Sequence, residues 1–344
     1  MPTPQEALAL ALRWLREQAD GGFTGTVHAM TFPRWAGFVG GPERQASDQF
    51  ARAVLADVLL DVADGLDRQP AEQAHWRAVA GQEAERLAAA RLPSRRGGWS
   101  YFPQLPQLPP DLDSLAAAMR LFARAAPRHL ALTEVPCAIA LTQRGADGSC
   151  PTWLIADDDA PQERDAMLGA VQRWWGGGVD VDVNLRFALA LRTAGRSQAE
   201  REPSEHFVRS AQDAAGAWPP TWYWSPLSTI ELALQIPGVR TEPARDLVRS
   251  LQHEDGGWGV DDSAALDTAL GVTLLAGHDD AAMQAGVRWL CDNQSLRGSW
   301  RASPWIRMDV GRAQGRTAYS ARHGCQTLST AYAARALLQA GPCL

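Results

Sequence analysis

Apolar positions recur along the chain with helical spacing, in blocks that alternate in character. One kind of block is studded with Arg, Glu and Gln and keeps a single apolar stripe, as in 71–90, AEQAHWRAVAGQEAERLAAA. It suits a helix with one face in water. The other kind is almost continuous in Ala, Leu and Val, as in 47–66, SDQFARAVLADVLLDVADGL, and suits a helix packed on both sides. The pair recurs six times. Each first block ends in a turn closed by Phe23, Trp99, Cys150, Trp218, Trp258 or Trp300, and the second blocks begin near Ser47, Asp111, Val179, Ser228, Asp261 and Cys325. The third pair carries an insert with a further helical stretch over 164–175, RDAMLGAVQRWW.

Each such pair leaves an apolar face that only a neighbouring pair can cover. Six pairs can close into a ring, and the second blocks are too apolar for the exposed concave face of an open solenoid. The predicted fold is all-α: one (α/α)6 barrel domain over residues 1–344.

Composition alters this picture at the turns. The 14 tryptophans and 30 glycines are unusual, and many punctuate the repeats. Gln212-x-x-x-Gly216-x-Trp218, Gln252-x-x-x-Gly256-x-Trp258 and Gln294-x-x-x-Gly298-x-Trp300 each close an outer helix. Glycine permits the tight reversal, and the indole is expected to cover the helix end and share a polar contact with the glutamine amide. These tryptophans read as structural. A net charge of −6 gives no electrostatic reason for a nucleic-acid partner. Five scattered cysteines without CxxC spacing, no recognisable leader and no membrane-spanning apolar run lead to the expectation of a cytoplasmic protein.

The three Gln–Gly–Trp turns match the QW repeat, and the sequence resembles the prenyltransferase and squalene-cyclase repeat family, in particular the class II terpene cyclases. The resemblance is sharpest from Phe207 to Trp300. It bears on Asp111 and Asp113, which follow a proline-rich connector at the start of an inner helix. Physics alone reads an Asp there as a helix cap. In class II cyclases an Asp-x-Asp-Asp element at such a site supplies the proton that opens the reaction, its middle Asp being the acid. Asp111 matches the first position and Asp113 the middle one, while Ser114 departs from the third. The resemblance therefore implies Asp113 as general acid and Asp111 as its partner, a nearby anion that orients the proton.

Protonating an alkene needs an undissociated carboxyl in a water-poor pocket, and the resulting carbocation needs aromatic faces. Candidates outside the turns are Tyr101, Phe102, Trp153, Trp222, Tyr223, Trp224 and Trp305. Asp180, Asp182 and Asn184 repeat the acidic spacing at another inner-helix start, where they read as caps or as substrate-binding groups. Asp180 and Asp182 are the candidate ligands for Mg2+ carried by a diphosphate substrate. Arg34, Arg95 and Arg96, with Arg301, Arg307, Arg312 and Arg316, are the candidate phosphate cations. No organic cofactor is expected.

Two further readings stay open. Protein prenyltransferases share the barrel and bind zinc, but here only Asp267, His323 and Cys325 offer ligands, at spacings that do not match. A non-catalytic isoprenoid-binding barrel, with its acids serving only as caps, is the other. The expected partner is a linear isoprenoid. Peripheral membrane contact, a homo-oligomer or a partner domain remain open, since the connectors 24–46, 151–178 and 301–323 are long enough to close the pocket themselves.

Overall fold

The computed structural model describes residues 2–34, 38, 41–277 and 281–341. In chain order the helices are α1 (Pro4–Asp20), α2 (Gln49–Gly65), α3 (Pro70–Ala89), α4 (Leu112–Ala125), α5 (Glu134–Thr142), α6 (Pro161–Trp174), α7 (Val181–Thr193), α8 (Gln198–Ser210), α9 (Pro226–Ala233), α10 (Thr241–Ser250), α11 (Ala265–Leu275), α12 (Ala281–Asp292) and α13 (Gln326–Ala340). Six pairs emerge, with α6 in the insert of the third. The second helices pack in sequence, α2 on α4, α4 on α7, α7 on α9, α9 on α11, α11 on α13, and α13 back on α2. The inner ring is closed, as the repeat predicts. Its members are buried almost all round: every residue of α4 from Leu112 to Phe122 is inaccessible or nearly so. Small side chains such as Ala116, Ala117 and Ala118 let the neighbouring helices approach.

The turns do their work differently from the expected Gln–Trp contact. Trp218, Trp258 and Trp300 each donate the indole N–H to a carbonyl of their own outer helix, Val208, Val248 and Leu290, at 2.7–2.8 Å. Trp99 does the same to Leu87. The glutamine amide instead bridges two backbones. Gln212 donates to Gly216 and to Arg240, Gln252 to Gly256 and Ala282, and Gln294 to Gly298 and Ala7. Each glutamine thus ties its turn to the start of the next outer helix, and Gln294 ties the last turn to α1.

Two features depart from the all-helical, apolar expectation. The connectors fold into small antiparallel hairpins, β1 (His28–Thr31) with β2 (Arg44–Ser47) and β3 (Ile306–Val310) with β4 (Tyr319–His323). β1 touches β4, and β3 pairs with the segment entering α9 through Arg307 N–H to the Trp222 carbonyl and Trp224 N–H to the Trp305 carbonyl. These strands cover the rim at which the inner helices begin. The second departure is a buried ionic network toward the other end of the inner helices. Asp57 accepts from Arg120 and Arg124, and Arg335 bridges Asp61 and Glu231. Each charge is met by an opposite one, the condition under which such groups are tolerated in a core.

Candidate active site

The site begins with how α4 starts. Pro109 and Pro110 keep the chain extended, and Asp111 caps the helix, its Oδ1 accepting the Ser114 N–H at 2.7 Å. Asp111 Oδ2 accepts the Ser114 hydroxyl at 3.0 Å and the Tyr101 N–H at 3.1 Å. Backbone pairing of Leu112 with Thr152 and of Leu154 with Pro110 brings the third connector alongside. Asp113, two residues into α4, lies in the first turn and is buried.

Two residues from other segments meet Asp113. The Tyr223 hydroxyl donates to its Oδ2 at 2.9 Å, and Arg186 Nε on α7 lies 3.0 Å from its Oδ1. Arg186 also donates to the Tyr223 oxygen at 2.7 Å, and its guanidinium lies over the Phe50 and Tyr223 rings. Burial pushes the Asp113 carboxyl up to about 7; Arg186 opposes that rise, and the negative charges of Asp111 and Asp182 add to it. Burial likewise pushes Asp111 up to about 6, against its hydrogen bonds. Asp111 acts on Asp113 as a nearby negative charge, because its own oxygens are occupied by Ser114 and Tyr101.

Asp111 and Asp113 lie on a cavity whose other walls are Phe32, Tyr101, Phe102, Leu108, Thr152, Trp153, Trp175, Val183, Trp222, Ile306 and Met308. About 480 Å3 lies between the lining atoms, part of it continuous with solvent, but the centre of a water-sized sphere can occupy only about 30 Å3. The space is a narrow, mostly apolar slot. Six rings face it, and the carboxyls of Asp111 and Asp113 are its only acidic groups among the described residues.

Of the sequence candidates, Asp111, Asp113, Tyr101, Phe102, Trp153 and Trp222 line this slot. Trp305 lies behind it, stacked on Phe50 with centroids 5.4 Å apart. Trp224 faces elsewhere, beneath the Arg322 guanidinium at 3.9 Å.

Asp180, Asp182 and Asn184 brace the backbone beside the slot. Asp182 Oδ2 accepts the N–H groups of Thr221, Trp222 and Tyr223, so it shapes the segment that carries the Tyr223 donor. Asp180 Oδ2 accepts from Thr152, from the Trp222 indole and from Arg312. Asn184 exchanges hydrogen bonds with the Cys150 backbone. Oxygens spent on peptide N–H groups and an arginine do not form the set that magnesium needs.

Three of the candidate phosphate cations are placed away from the slot. Arg34 is exposed, with its N–H on Glu43. Arg95 is held by the Pro106 carbonyl, and Arg96 pairs with Asp158 and Asp159. None of the three lines the slot. The zinc reading falls on the same geometry. Cys325 caps α13, His323 stacks on His28, and among the described residues no three His, Cys, Asp or Glu side chains gather to hold a metal.

Arg186 is the side chain beside Asp113 that sequence reasoning passes over. Its signal was available: a single arginine inside NLRFALAL, four residues after Asp182, sits in a stretch otherwise too apolar for an exposed helix. Phe32, Trp175, Ile306 and Met308 come from connectors whose path the sequence leaves open.

No family model matches the sequence. Over 148 residues, 35% of the chain, it is 26% identical to squalene–hopene cyclase of Zymomonas mobilis, covering 22% of that protein. Over 96 residues, 26% of the chain, it is 31% identical to copalyl diphosphate synthase of Streptomyces cyslabdanicus, covering 18% of that protein. The alignments thus take in only about a fifth of those relatives' length. Among solved structures, the type II terpene cyclase MstE from Scytonema, in complex with geranylgeranyl dihydroxybenzoate as substrate, superposes with a TM-score of 0.69 at 18% identity, covering 99% of this chain and 98% of that one. At that identity the match speaks for the fold. In fold over nearly its whole length, and in sequence over the two aligned stretches, the chain is class II terpene cyclase-like.

Proposed function

We propose that this protein cyclises a linear isoprenoid by protonating one of its double bonds, with Asp113 as the acid. The observation that carries the reading is a buried carboxyl, raised to about 7, on the wall of an aromatic-lined slot. At neutral pH a large fraction of such a group still holds its proton, whereas an ordinary Asp would not. The proton passes from Asp113 to an alkene carbon, the π electrons forming the new C–H bond. The next double bond then attacks the adjacent cation.

Proton transfer leaves a carboxylate in a dry site. Arg186 at 3.0 Å and the Tyr223 hydroxyl at 2.9 Å are already aimed at it, so its charge is stabilised without reorganisation. The rings of Phe102, Trp153, Trp175 and Trp222 present π faces or edges to the cation and keep water from it. The MstE complex, covered almost end to end by this chain, supports the idea that one barrel can suffice for such a substrate. Magnesium carried by a diphosphate head would find Asp180 Oδ2 and Asp182 Oδ2 already engaged by Arg312 and by peptide N–H groups.

The test is incubation of the purified chain with geranyl, farnesyl and geranylgeranyl diphosphates and with a geranylgeranylated dihydroxybenzoate, followed by product analysis. A cyclic product with the wild type and none with Asp113→Asn is expected. Substrate binding without any cyclic product from the panel would favour a carrier.

A further inference from the structure

The slot is too narrow for a prenyl chain: the centre of a water-sized sphere finds only about 30 Å3 in it, so a substrate enters only if a wall moves. Most of the walls are fixed. Asp113 and Val183 stand on the inner helices α4 and α7, and Ile306 and Met308 on a paired strand. Trp222 is held through its N–H on Asp182, its carbonyl on the Arg307 N–H and its indole on Asp180. Tyr101 is held by its N–H on Asp111, and Thr152 by its pairing with Leu112.

Trp175 is tied differently. It follows α6, which packs chiefly on the Arg312–Gln314 turn of the last connector rather than on an inner helix. The two segments meet through the Trp174 carbonyl, which accepts the Gly311 N–H at 2.8 Å, and the Trp175 carbonyl, which accepts Arg312 Nε at 2.9 Å. Arg312 also pairs with Asp180 at 3.1 Å and lies 4.1 Å over the Trp222 ring. Behind Trp175 run Gly176, Gly177 and Gly178. Gly176 has φ +86°, and a Cβ on Gly178 would meet nothing within 4 Å. Such a stretch can absorb a change of backbone direction. The Trp175 indole N–H is buried without a partner among the described residues, so its side chain adds no hydrogen bond to hold this wall in place.

Resting on the reading of the slot as the isoprenoid's site, we propose that the substrate enters between residues 174–176 and the turn at 311–313, with the glycines at 176–178 as hinge and Arg312 as latch. Opening strands no buried charge. Asp180 keeps the Thr152 hydroxyl and the Trp222 indole as donors, while Arg312, next to the exposed Ala313 and Gln314, moves into water. Closing returns Trp175 to the wall and shuts water out of the space in which the cation forms. Arg312 does not itself line the slot, so it acts on access and leaves the proton to Asp113.

A disulfide across the seam tests this in the full chain. A Cβ on Gly176 would lie 3.9 Å from that of Ala313, a spacing that a disulfide bridges, and Cys137, Cys150, Cys291 and Cys325 are buried away from the oxidant. The double variant Gly176→Cys, Ala313→Cys, oxidised while empty, should fail to take up a radiolabelled isoprenoid of the panel above that the wild type binds. Oxidised after loading, it should hold the label through gel filtration, and reduction should restore exchange in both cases. The reduced form shares any strain at Gly176, so the comparison isolates the bridge. Uptake by the bridged, empty protein at the reduced rate overturns the gate and leaves the cyclase reading intact. Wild-type binding without a cyclic product overturns the cyclase reading and not the gate, which uptake alone decides; wild-type binding of none of the panel overturns both. Where the bridge does not form, or the reduced double variant does not bind, Arg312→Met decides. Its uptake should be about fivefold faster than that of the wild type, the worth of one weakly exposed ion pair. Uptake no faster than the wild type's overturns the gate.

Discussion

Asp113 is held between opposing influences, and its behaviour with pH follows from which of them is removed. Burial raises its carboxyl to about 7 although Arg186 pulls the other way. On the proposed mechanism the acid form is the active one, so kcat/KM should be flat at lower pH and fall tenfold per unit above about 7. Arg186→Met removes the opposing cation. The alkaline limb should then move to higher pH by about one unit or more, and kcat should fall roughly 100-fold because the conjugate base loses its partner. A pH–rate profile of both proteins, with circular dichroism to check the fold, decides it. At this scale the sequence was half legible. Asp113 could be singled out because its place beside Asp111 at a helix start matches a motif. Tyr223 stood only among several aromatic candidates, and Arg186 carries no motif, since its meeting with Asp113 depends on how α4 and α7 pack.

The helices were legible for a different reason: each advertises itself through local spacing, and each turn through its glycine. Gly298 shows how strictly the turns are set. It has φ +92°, and a Cβ there would lie 2.4 Å from the Leu10 carbonyl oxygen on α1. Gly277 has a similar φ, +83°, with nothing within 4 Å. Gly298→Ala should therefore cost more than about 2 kcal/mol and Gly277→Ala about 1, a difference that denaturant midpoints would read. The hairpins were less legible. Ile306–Val310 alternates buried and half-buried positions, a strand pattern visible in IRMDV, yet its partner Tyr319–His323 lies across a connector whose register no local signal gives. The ionic network was hidden in the same way. Arg335→Leu would take from Glu231 its buried counter-charge and leave Asp61 with Arg124 alone, and should cost about 3–5 kcal/mol in the same measurement.

At the scale of the molecule, the six repeats predict a ring, and Gln294 reaching Ala7 shows how its ends are joined. Closure does more than stabilise. It brings all six inner-helix starts to one rim, where the two hairpins and the 222–224 segment narrow the mouth, while the ionic network lies toward the opposite end of the inner helices. Asp113 sits between these two regions, in the first turn of α4. Which chemistry results depends on whether that buried proton reaches an alkene.

Mass spectrometry of products formed in D2O tests this most directly. The wild type should give a cyclic isoprenoid carrying one deuterium on the carbon that was protonated, and Asp113→Asn, folded and still binding substrate, should give none. A cyclic product without deuterium, or one formed by Asp113→Asn at the wild-type rate, would contradict the account.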